Sequence, residues 1–164
     1  MSAQTSYKFF PAIGVAGGIV DLAPYAVDTF KNEEATGAML FGLGVVKGTA
    51  AGQQVKKPVS GSTAADFEGV AVNNLTTEYD MEGKIHILNG APIGVMRYGR
   101  VYVRVATGAT PEYGDALYMV KTGDEAGYFT DSSSSTVAVK GRFLGAADAS
   151  NGVAPVELFN QSQS

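Results

Sequence analysis

The chain has 164 residues and is 45% hydrophobic, enough for one domain with a core of its own and an appended arm. It has no cysteine and a single histidine, His86, which excludes disulfides, thiolate metal sites, cysteine nucleophiles and multi-histidine metal centres. Twelve basic residues against sixteen acidic ones give a net charge of −4, the wrong sign for tracking a phosphate backbone, so no direct nucleic-acid partner is expected.

Residues 1–36 read as an extended N-terminal arm: Pro11 and Pro24, three glycines at 14, 17 and 18, and aromatics without a period. The apolar run Phe9–Val20 behind Lys8 superficially resembles a signal peptide. Its proline and glycines spoil a helix, no small-x-small cleavage site follows, and a span needs about 20 residues, so neither a membrane nor secretion is expected. An arm of this kind lies across the sheet of its own domain or that of a neighbour.

Residues 37–159 read as a β domain and 160–164 as a flexible tail. The glycines, 21 of 164, are spread among valine, tyrosine, threonine and serine, and no window keeps a 3.6-residue period beyond about two turns. The fold class is therefore mainly β, a compact barrel or sandwich. The strand-like runs in chain order are Met39–Lys47, Val55–Val59, Phe67–Asn73, Lys84–Leu88, Pro92–Arg97, Arg100–Ala106, Ala116–Lys121, Gly127–Thr130, Thr136–Ala146 and Ala154–Phe159. Val101, Val103 and Val105 alternate with Arg100, Tyr102 and Arg104, which gives one core face and one wet face. Tyr98–Gly99 predicts a turn or bulge, and Ser132–Ser135 an exposed hairpin tip.

Chemistry is hard to place on this chain. The nucleophile-elbow, P-loop, zincin and EF-hand patterns are all missing. Gly42–Leu43–Gly44 leads into no helix and so presents no phosphate cradle. Asp80, Glu82 and His86 lie close in sequence, but nothing completes a metal or acid/base site, and a solvated loop entering a strand explains them better. Glu112 and Asp115 flank a turn, where Asp also serves the turn itself. The expectation is no enzyme, no catalytic residue, no metal and no cofactor. Arg97, Arg100 and Arg104 with Tyr98 and Tyr102 form a local basic, aromatic surface suited to charge pairing across strands or to a subunit contact.

The order of segments resembles the capsid cement, or head-decoration, proteins of tailed bacteriophages. The resemblance runs through an N-terminal arm, Ala38–Val46, the run Ala64–Val72 with its Phe67–Glu68–Gly69–Val70, Gly94–Arg97, Arg100–Val105, Gly114–Tyr118 and Gly141–Gly145 with Val156–Leu158. It implies a β-tulip-like or barrel fold with an extended N-terminal arm and a homotrimer on the outer surface of the virion capsid, assembled in the host cytoplasm. Such a trimer sits at three-fold positions and clamps major capsid protein capsomers against packaged DNA. Under that reading Tyr7, Phe9, Phe10, Ile13, Ile19, Val20, Tyr25 and Phe30 of the arm contact the coat or a neighbour. Packing on the chain's own open face is an equal alternative for them. Arg100, Tyr102 and Arg104 would be a trimer or surface contact, and deleting Met1–Phe30 is expected to leave the domain folded but abolish attachment. A different class of reading is a glycan- or receptor-binding β domain, displayed on a virion or secreted, using Tyr79 and the loops at Asn73–Asn74 and Asp80–Glu82.

Overall fold

The computed structural model describes residues 14–73, 78–79 and 85–160. Strand β7, Pro92–Arg104, is the spine. The two runs expected on either side of Tyr98–Gly99 join into this one strand: the register against β1 shifts between Met96 and Tyr98, and Gly99, at φ +125, takes a backbone conformation open to glycine where Tyr25 packs close against it.

The first half of β7 closes a five-stranded barrel with β1 (Ala26–Asn32), β2 (Gly44–Lys47), β3 (Gln54–Lys56) and β4 (Phe67–Ala71), in the order β1-β3-β2-β4-β7 and back to β1. All contacts are antiparallel except β1 with β3, where Lys31 and Asn32 run parallel to Gln54 and Val55. The second half of β7 leads into an antiparallel sheet with β11 (Val153–Leu158), β10 (Thr136–Phe143), β8 (Ala116–Val120) and β9 (Phe129–Thr130). A parallel bridge from Phe129 to Val105 ties the far edge of that sheet back to the end of β7. The two-residue strands β5 (Glu78–Tyr79) and β6 (Ile85–His86) pair apart from both.

Two buried clusters follow from this layout. Phe30, Val45, Val55, Ile93 and Val95 fill one, together with Met39, Phe41 and Leu43 from the chain leading into β2. Val46, Phe67, Val70 and Met96 meet Val101, Val103, Leu117, Met119, Phe129, Phe143 and Val156 in the other. β2 and β4 are thus apolar on both faces, whereas in the second half of β7 the valines are buried and Arg100, Tyr102 and Arg104 are half-exposed, as the alternation predicts.

Several expected elements differ in extent. Met39–Leu43 is not strand, because Gly42, at φ +78, turns the chain and donates to the Ala71 carbonyl at 2.8 Å, so β2 begins at Gly44. β3 stops at Lys56, where Pro58 has no N–H to give and residues 57–62 turn. The serine tip is exposed, yet it joins β9 to β10, which flank β8 on opposite sides, and is no hairpin. Residues 26–32, inside the stretch read as an arm, are barrel strand β1.

Candidate functional site

The segment from Gly14 to Asn32 runs antiparallel to β7 for most of its length. Gly17 N–H donates to the Tyr102 carbonyl at 2.8 Å, Tyr102 N–H to the Gly18 carbonyl at 2.9 Å, and Val20 N–H to the Arg100 carbonyl at 3.0 Å. Ile19 stands opposite Val101, and after a bend β1 pairs from Ala26 opposite Tyr98 to Lys31 opposite Pro92. Glycine permits the close approach. A Cβ on Gly14 would overlap the Tyr102 ring, and Gly17, at φ +76, lies against the backbone of Ala71 and Asn73.

Ion pairs pin the seam. The Arg100 guanidinium reaches Asp21 at 2.8 Å and Glu157 at 3.4 Å, and Glu157 also holds Arg142 at 2.8 Å, whose guanidinium lies 5.6 Å above the Tyr113 ring. Asp21 is held below the usual carboxylate range, first by the Ala23 N–H it accepts and then by Arg100. Arg104 donates through Nε to the Phe41 carbonyl at 2.8 Å, and Arg97 pairs with Glu68 at 2.7 Å and Asp28 at 3.3 Å over the Phe30 ring.

Against the expected contact residues, this places Ile19 and Tyr25 on the surface, at 41% and 48% exposure, with Val20 half-buried. Phe30 points inward, 5% exposed in the barrel core, so its side chain offers no outer contact. Arg100, Tyr102 and Arg104 are together on one face and stay half-exposed, with Arg100 paired to Asp21, the Tyr102 backbone bonded to Gly17 and Gly18, and Arg104 bonded to the Phe41 carbonyl. Tyr7, Phe9, Phe10 and Ile13 lie outside the described residues, as do Asn74, Asp80, Glu82 and the side chains of Tyr79 and His86. The sequence reading missed Leu22, 96% exposed in the bend beside Ile19 and Tyr25. Its only signal is a leucine between Asp21 and Pro24, two residues that favour bends.

Glu112 N–H donates to the Asp115 carboxylate at 2.8 Å, which closes the turn between them. Among the described residues no group of three or more His, Asp or Glu side chains gathers at metal-binding range, and no helix is long and apolar enough to cross a membrane.

The arrangement defines a small all-β structural module, in which charged side chains tie strand to strand and apolar side chains are left outward along one segment. A family model described as structural cement protein (E217 gp24/Pam3 gp6) matches residues 3–159, and the chain belongs to that family. Among solved structures, a chain of "The capsid of Myoviridae Phage XM1" has the same fold, with a TM-score of 0.70 at 20% identity over 96% of this chain and 98% of that one. No curated protein matches the chain.

Proposed function

We propose that this protein is a capsid cement protein of a tailed phage, bound to the outer surface of the virion head at three-fold positions as a homotrimer, where it clamps neighbouring coat subunits against DNA pressure. The observation that carries the reading is membership of the structural cement family over nearly the whole chain. The N-terminal segment is the fastener: Tyr7, Phe9, Phe10 and Ile13 ahead of the seam, then Ile19, Val20, Leu22 and Tyr25 along it, supply apolar contact to the coat. Three such segments in one trimer raise one another's effective concentration, so weak single contacts add to firm attachment. The half-exposed face of Arg100, Tyr102 and Arg104 is a subunit contact. Assembly takes place in the host cytoplasm.

The test is co-sedimentation with expanded heads that lack this chain. Full-length protein is expected to bind at a near-equimolar ratio to coat protein and to raise the temperature at which heads release DNA. A chain lacking residues 1–13 is expected to stay folded and lose attachment. Trace binding by the full chain would sink the cement reading, and undiminished binding by the truncated chain would sink the fastener.

A further inference from the structure

Beyond the barrel's β3, residues 57–62 form a turn held from both ends. Val59 N–H donates to the Ser62 hydroxyl at 3.0 Å and Ser62 N–H returns to the Val59 carbonyl at 2.8 Å, while Pro58 is buried. The turn lifts Val59 out to 53% exposure. On one side of this apolar knob is a cleft of about 380 Å³ whose charged wall is Lys57 and Lys121 with Glu34, and on the other a cleft of about 330 Å³ whose charged wall is Lys47 and Lys56 with Asp66, so lysines outnumber carboxylates two to one in each. Half of the chain's eight lysines therefore converge on one turn of an acidic protein.

Of the carboxylates nearby, Asp66 is paired with a lysine, and Glu34 and Glu33 accept neutral donors and keep their charge. Asp66 accepts from Lys47 at 2.6 Å and from Thr63 N–H and Oγ1 at 2.8 and 2.9 Å. Glu34 accepts the Lys57 backbone N–H at 2.9 Å, and Glu33 takes both donors of Thr49, at 2.6 and 2.7 Å. Among the described residues no carboxylate forms an ion pair with the ammonium groups of Lys57 or Lys121, whereas the Lys56 charge already acts on Glu33 and helps hold that carboxyl below its ordinary range.

We infer that this lysine-walled double cleft is a second docking surface, which takes an acidic, extended peptide segment of a protein partner. Carboxylates of the segment meet Lys57 and Lys121, and an apolar side chain beside them packs on Val59. Charge complementarity selects the occupant. A nucleic-acid strand is the poorer fit, because neither cleft has an aromatic wall for stacking and the chain as a whole repels phosphate.

The test is a titration of the isotopically labelled full chain, followed by amide NMR, with a blocked peptide of alternating Glu and Leu and its Gln-for-Glu twin. The acidic peptide is expected to shift amides of residues 56–62 and 121–126 and to bind at least tenfold tighter than the twin. K57E/K121E is expected to abolish those shifts, and K57Q/K121Q to weaken binding at least tenfold, with the remaining spectrum unchanged. Equal binding of the two peptides, shifts scattered over the surface, no shifts at all, or undiminished binding by K57Q/K121Q would each overturn the inference. Equal shifts from an oligothymidylate of matched charge would reassign the cleft to phosphate. Attachment to heads is not the readout, so a negative result leaves the cement reading standing.

Discussion

Gly69, in β4, has φ +154 and faces β7 so closely that a Cβ there would overlap the Met96 carbonyl oxygen. It sits where the β2–β4 register shifts between Val45 and Val46, so the glycine admits the bulge that lets β4 serve both clusters. Gly69→Ala adds strain to a backbone clash and is expected to cost about 2 kcal/mol or more. Gly61→Ala, with open space and no positive φ, is expected to be within about 0.5 kcal/mol of neutral. Urea unfolding of the two variants separates these outcomes. A different kind of residue effect belongs to Asp66, which Lys47 first, and then the Thr63 N–H and hydroxyl, pull down to a pKa of about 2 from an ordinary 3.8. A depressed carboxyl stabilises the fold above its unfolded pKa and loses that contribution as pH falls through the folded one, here between about pH 4 and pH 2. In D66N the slope of stability against pH across that window is expected to flatten, by no more than about 1 kcal/mol in total because Lys47 is half-exposed. Acid unfolding followed by circular dichroism measures it.

At the level of elements, the clearest sequence signals were those carried by neighbouring residues. The Val101–Val103–Val105 alternation gave side-chain directions correctly because a period of two is a local property. β1 was not legible. Four of its first residues, Ala26–Thr29, are exposed, and only Phe30 and Asn32 turn inward, so no apolar alternation marks it. Its partners are Gln54–Val55 and Pro92–Tyr98, far along the chain, and nothing local announces them. The contact list suffered for the same reason, since Phe30 looks like any arm aromatic until the barrel closes around it. The deletion of Met1–Phe30 expected to leave the domain folded removes most of a barrel strand and a core phenylalanine. A chain starting after Asn32 is expected to lose its near-ultraviolet tyrosine signal and its cooperative melting transition, whereas one starting at Gly14 keeps both. Survival of the shorter chain's transition would show that the barrel tolerates an open side.

Over the whole molecule, composition was enough to find the fold class, and the family needed the order of segments. Excess glycine spread among valine, tyrosine, threonine and serine marks a mainly β chain, and the order of segments along it resembles the cement family whose model matches. The closed barrel was legible only as a type, because its closure depends on the parallel contact of β1 with β3 and on one strand shared between two sheets. That shared strand also sets how the molecule carries load. Hydrogen bonds in an antiparallel pair lie across the strands, so a pull along the strand axis strains them side by side, while a sideways pull opens them one after another. A pull applied at Gly14 along β7 would therefore load a lap joint: tension would enter at Tyr102, spread through the Gly17–Val20 bonds and the β1 pairing down to Pro92, and reach both sheets through a single spine.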